Sequence, residues 1–147
     1  MKKCLICRNE NCTKQCMRST ALLIVRLAFA LIIITHGWAK LVGPLGITGF
    51  AGFLGSMAIP APTFFSWVIA LLEVFGGIAI LLGLYVEKVG LLFVLEFLFI
   101  VTYVRGLNVS KAELDILMLA AAASLSLMGP GSYAPMGRKK KADEIVA

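Results

Sequence analysis

The sequence predicts an all-α membrane protein, a bundle of four transmembrane helices with both termini in the cytoplasm. Three observations predict it. Hydrophobic residues fill 60% of the 147 positions and the mean hydropathy is +0.93, against an apolar share of about 45–50% in soluble domains. The apolar residues gather into four runs, each near the roughly 20 residues that cross a bilayer once flanking positions are included. Basic residues gather at the ends, with Lys2, Lys3, Arg8, Lys14 and Arg18 before the first run and Arg138, Lys139, Lys140 and Lys141 after the last. The positive-inside rule then places both ends in the cytoplasm, which requires an even number of crossings.

The runs cover residues 21–39, 64–84, 89–104 and 114–128. The first could be a cleavable signal, but the long basic segment ahead of it, Arg26 within it and three further runs argue for a retained span. Residues 43–62 form a Gly- and Pro-rich connection in which Phe50, Phe53, Leu54 and Met57 recur at helical spacing. This stretch predicts either a half-helix in the outer interface or a hydrophobic loop plugging the bundle mouth. Pro60 and Pro62 lead into the second span, with Thr63 available as a helix cap. The connection Tyr85-Val86-Glu87-Lys88 predicts a tight hairpin between spans two and three. Gly129-Pro130-Gly131 stops the fourth. The chain thus divides into a cysteine-rich cytoplasmic segment (1–19), a membrane domain (20–131) and a basic tail (132–147).

The net charge of +6 is read first as a topology signal. No aromatic-interleaved basic surface accompanies it, so nucleic acid is not an expected partner. A basic tail beside a bilayer attracts anionic membrane lipid.

Ionisable residues inside apolar runs mark where such a protein works, because a charge near the bilayer centre costs about 2.5–3.5 kcal/mol on insertion scales. Arg26, Glu73 and Glu96 are of this kind. Arg26, Ala30, Ile33, Gly37 and Lys40 share one helical face, with His36 at its edge. Glu73 is flanked by Ala70, Gly76 and Gly77, small residues that let membrane helices approach closely. The sequence therefore predicts an Arg26–Glu73 ion pair, either functional or serving only to fix helix register. Glu96 lies on the face with Leu92, Phe99 and Tyr103 and has no basic residue of its own at that depth. Two carboxylates sharing one arginine predict that Glu73 or Glu96 is protonated at neutral pH, fit to relay protons or merely to hydrogen-bond a neighbouring helix.

At the outer end His36, Lys40, Arg105, Lys111, Glu113 and Asp115 converge. His36, Lys40 and Asp115 form the expected side for a quinone, with His36 able to donate a proton or to bind a carbonyl. Interfacial hydrogen bonding is the competing role of this lone histidine, which lacks a second histidine for a metal site.

The membrane region resembles the DoxX family. The resemblance is carried by Arg26-Leu27-Ala28, His36-Gly37-Trp38-Ala39-Lys40-Leu41, Gly49-Phe50-Ala51-Gly52-Phe53-Leu54, Ile59-Pro60-Ala61-Pro62, Leu71-Leu72-Glu73-Val74-Phe75-Gly76-Gly77 and Leu81-Leu82-Gly83-Leu84, in that order. It implies a four-helix membrane protein. Related DoxD proteins form a subunit of an archaeal thiosulfate:quinone oxidoreductase, and other DoxX-like proteins are associated with membrane thiol and oxidative-stress chemistry.

All four cysteines precede the first span, as Cys4-x2-Cys7-x4-Cys12-x3-Cys16. This segment resembles the first cysteine cluster of glutamate synthase small-subunit flavoproteins, which implies iron–sulfur binding. Four thiolates complete one [4Fe–4S] set, and they also make a tetrahedral zinc site. The expectation ranks iron–sulfur ahead of zinc and redox-sensing thiols third, with disulfides discounted in a reducing cytoplasm.

Together these features predict a DoxX-like subunit of a membrane redox system, transferring electrons to quinone or thiols beside a partner redox protein or a second copy of the chain. The catalytic candidates are Glu73, Glu96, Arg26 and His36. A small-solute or proton transporter is the first alternative and predicts that the same charges line a continuous path. A non-catalytic scaffold is the second. No phosphate loop, flavin fingerprint or nicotinamide motif is present.

Overall fold

A computed structural model describes residues 10–135, and all regular structure among them is helical. Helix α1 (Glu10–Val42) is a single rod of 33 residues, about 50 Å long at 1.5 Å per residue. It starts inside the cysteine segment, earlier than the apolar run alone indicates. Leu22, Arg26, Phe29, Ala30 and Ile33 are all buried on its inner face. Ile24, Leu31, Trp38 and Val42 are exposed on the outer one.

Helix α2 (Gly46–Ser56) is short and half-buried, with Ala51 and Leu54 turned inward. Of the two sequence expectations the segment takes the helical one, and its Phe50, Phe53 and Leu54 line a cavity in the bundle. Helix α3 (Pro62–Leu71) begins with proline in its first turn behind Ala61, whose φ of 47° puts it in the left-handed region. Ala61 occupies the cap position, and Thr63 lies inside the helix and does not cap it. A π turn (Leu72–Gly76) carries α3 into α4 (Gly77–Leu82).

Gly83 ends α4 with φ 76°. The Gly83 N–H donates to the Ile80 carbonyl at 3.0 Å, and Leu84 N–H donates to Ala79 at 2.8 Å. This paired bonding is the Schellman arrangement, which a Cβ at the left-handed position would strain. The hairpin turn is consequently Gly83-Leu84-Tyr85, and Val86, Glu87 and Lys88 already belong to α5 (Val86–Phe99). A second π turn (Ile100–Val104) extends α5. Helix α6 (Val109–Met128) starts more than one turn before its apolar run and stops at Gly129.

The core lies among α1, α4, α5 and α6, where Phe29, Ile33, Ile80, Phe93 and Leu125 are fully buried. Phe29 meets Phe93 edge to face at 5.2 Å between ring centroids. Small residues set the α1–α3/α4 spacing. A Cβ on Gly37 would sit 2.7 Å from the Glu73 Cβ, and one on Gly77 would sit 2.6 Å from Ile34. The close-packing face predicted around Glu73 is thus present, and its partner surface is the inner stripe of α1.

After α6 the chain folds back over the Cys16 end of α1. Arg26 Nη1 donates to the Pro130 carbonyl at 2.7 Å, and Ser19 Oγ donates to Ser132 Oγ at 3.1 Å. Ala134 is fully buried there.

Candidate functional site

At the end opposite this C-terminal strap, α1, α2, α3, α5 and α6 enclose a cavity of about 290 Å³. His36 and Lys40 reach it from α1, Glu73 from the first π turn, Glu96 from α5, and Asp115 from α6. With Arg105 and Lys111 at its rim, seven of the polar residues singled out in the sequence meet in one place. Phe50, Phe53, Phe97 and Phe99 add aromatic walls.

Within the cavity Lys40 Nζ donates to both carboxylate oxygens of Glu73. Glu73 is only 2% exposed. Lys40 also lies over the Phe50 ring, 5.1 Å from its centroid, a distance at which an ammonium is attracted by the ring face. His36 is exposed at the mouth and within electrostatic reach of Glu73.

Glu73 thus pairs with Lys40, and the predicted pairing with Arg26 does not form. Depth is the reason. Glu73 packs at the level of Gly37, eleven residues or about 16 Å along α1 from Arg26. Arg26 shares the stripe with Lys40, but it is buried, 4% exposed, at the strap end of the bundle. Its guanidinium answers the Pro130 carbonyl there.

Glu96 faces Glu73 and Lys40 within electrostatic reach, and both of its carboxyl oxygens are buried without a hydrogen-bond partner among the described residues. Its expected companions Leu92, Phe99 and Tyr103 are largely exposed, whereas Phe93 and Phe97 are buried beside it. Phe99, on the helical face the spacing assigns to Glu96, lines the same cavity, and Glu96 lies at the edge of the buried Phe93–Phe97 face.

At the rim Arg105 Nε donates to Asp115 Oδ2 at 2.8 Å. Asp115 is thereby engaged by arginine, with His36 elsewhere on the same cavity wall. Lys111 also lines the cavity, while Glu113 is exposed and does not.

Both π turns border this cavity, one carrying Glu73 and the other contributing Ile100 and Val104. A π turn admits an extra residue per turn and re-aims the side chains it carries, and such turns recur at functional sites. Periodicity read at a uniform 3.6 residues per turn has no signal for them; the Gly76-Gly77 pair is the only local hint.

Among the described residues the polar groups do not form a continuous path through the bundle: Phe29 and Phe93, both buried, lie between the Arg26 end and the cavity.

Cys4 and Cys7 and the Cys12 side chain lie outside the described residues. Cys16 is disulfide-bonded, its sulfur 3.8 Å from the Tyr133 hydroxyl. Cys16 thus forms a disulfide, the state the expectation discounts, while the other three members of the expected metal set Cys4, Cys7, Cys12 and Cys16 fall outside the described side chains. Among the described residues no cluster of His, Cys, Asp and Glu is arranged to hold a metal ion.

Comparison with known proteins points to one family. Residues 21–106 match the DoxX family model. The chain is 32% identical over 109 residues to "Putative oxidoreductase CatD" of Bacillus subtilis, an alignment covering 73% of this chain and 78% of that protein. It is 29% identical over 123 residues to "Inner membrane protein YqjF" of Escherichia coli, covering 80% and 90%. No solved structure matches the chain. The family match begins after Cys16, and the glutamate synthase resemblance of the cysteine segment gains no support from these relatives.

Proposed function

Because this chain belongs to the DoxX family, we propose that it is a multi-pass membrane protein and a subunit of a membrane redox system, whose cavity receives a lipid-soluble quinone. Residues Cys16–Val42 and Pro62–Leu82 are long and apolar enough to cross a bilayer. Helix α5 with its π extension and helix α6 supply two further crossings, giving the even number that keeps both basic ends cytoplasmic. The name of the Escherichia coli relative supports the membrane location, and that of the Bacillus subtilis relative supports the redox class.

One observation carries the redox reading. A buried carboxylate–ammonium pair and a second carboxyl group share an aromatic-walled cavity. A bound quinone would supply a two-electron, two-proton acceptor with two carbonyl oxygens on a flat ring. The residues fit such a ligand. Lys40 Nζ and the His36 ring are donors for a carbonyl oxygen. Phe50 and Phe53 offer ring faces for stacking. Glu96 can hold a proton at a buried carboxyl oxygen, with the Glu73 carboxylate close enough to interact with it. The shell of buried apolar residues beneath keeps water from crossing to the Arg26 end.

Electrons have to arrive from outside the cavity. Cys16 and Lys40 are 24 residues apart on one helix, about 36 Å, so the cysteine segment does not hand electrons to this site directly. A partner redox protein at the mouth of the cavity is the required donor.

The test is saturable quinone binding by the purified protein in lipid nanodiscs, read by tryptophan quenching. Binding should be lost in Lys40→Met and in Glu73→Gln. If the native protein shows no saturable binding, the quinone reading is wrong. Proton or solute flux in liposomes is expected to stay at background, because the apolar core blocks a continuous path.

A further inference from the structure

A second concavity adjoins the cavity. It is an open groove of about 700 Å³ between the outer faces of α1 and α2, and it shares His36, Lys40, Phe50 and Phe53 with the enclosed site. We propose that this groove is a lateral entrance from the bilayer and the seat of an isoprenoid tail, so that the ligand of the cavity is a prenylated quinone entering between α1 and α2. The inference rests on the quinone reading above and adds which form of ligand is taken and by which route.

Three features support it. The groove opens sideways, since Thr35 and Ala39 on α1 and Leu45 ahead of α2 are exposed, on the outer side of a helix that is apolar enough to cross a bilayer. Its surface is apolar in effect, because the Thr35 hydroxyl is spent on the Ile32 carbonyl at 2.7 Å and Gly46 and Gly49 add no side chains to its floor. It shares a wall with the polar site, made of His36, Lys40 and the Phe50–Phe53 pair, whose rings are stacked with centroids 6.4 Å apart. A ligand lying across both spaces would place its ring beside Lys40 and its tail along Ala39 and Thr35. A small water-soluble solute would have no use for the groove.

The test compares two probes with the same ring in nanodiscs, 2-methyl-1,4-naphthoquinone and the same quinone bearing an isoprenoid tail. Ala39→Phe fills the groove from an exposed position, and Thr35→Phe does so one turn away. Each should weaken the tailed probe about tenfold, equivalent to about 1.4 kcal/mol, and leave the tail-less probe within about twofold. If both variants leave the tailed probe unchanged, or weaken both probes alike, the groove is not a tail site and the quinone reading stands alone. If the native protein binds neither probe, the quinone reading itself falls and the groove falls with it.

Discussion

Lys40 in the last turn of α1 and Glu73 in the π turn after α3 form an ion pair across 33 residues of sequence. The two side chains are unequally buried, 22% exposed for lysine and 3% for glutamate. Removing the lysine strands a carboxylate in the interior, whereas removing the glutamate leaves an ammonium whose stem can reach toward the mouth.

Lys40→Met is accordingly expected to destabilise the protein by about 3–5 kcal/mol, and Glu73→Gln by clearly less. Joining Lys40→Met to Glu73→Met should recover most of the loss. Thermal unfolding in one detergent across the double-mutant cycle measures this, and equal losses in the two single variants would contradict the asymmetry.

Gly37 is where α1 and the π turn approach most closely. Gly37→Ala places a methyl 2.7 Å from the Glu73 Cβ and 3.0 Å from the Val74 nitrogen, which should cost about 1–3 kcal/mol. Gly52→Ala, with nothing within 4 Å of its added Cβ, should instead gain about 0.5–1 kcal/mol from helix propensity. Melting temperatures of the two variants should move in opposite directions.

Arg26 anchors the C-terminal strap through the Pro130 carbonyl. Arg26→Met is expected to speed amide hydrogen exchange over residues 131–135 and to leave quinone affinity within about twofold. A large fall in affinity would mean that Arg26 acts on the cavity after all.

The Arg105–Asp115 pair sits at the rim, with the arginine side chain 43% exposed. Asp115→Asn should cost less than about 1 kcal/mol, and the difference should shrink as salt is raised. Stability measured at low and high ionic strength checks this.

Cys16 should resist alkylation until the protein is reduced, because its sulfur is in a disulfide. Mass spectrometry with and without reductant decides it, alongside iron, zinc and acid-labile sulfide analysis of anaerobically purified protein. Ready labelling without reductant, together with stoichiometric metal, would restore the metal site as the state of this segment.

Much of this protein was legible in the sequence because helix periodicity is a local property. The inner stripe of α1 and the small-residue face around Glu73 follow from spacings of three, four and seven residues. The gathering of His36, Lys40 and Asp115 at one end follows from the order of the apolar runs and the alternating direction of the helices. The partner of Glu73 was not legible, since two basic residues lie on the same stripe and only the relative depth of α1 and α3 selects Lys40 over Arg26. Nor was the nearness of Glu96 to Glu73 and Lys40, because it depends on how α5 packs against the first π turn and α1. The two π turns and the wall that groove and cavity share depend on how α2 and the extended helices pack against α1. That His36, Lys40, Glu73, Glu96 and Asp115 are polar groups inside or beside apolar runs is determined by the sequence alone, while tertiary packing decided that they line one cavity without Arg26 and that Glu73 pairs with Lys40, because distances between helices are encoded by no local spacing.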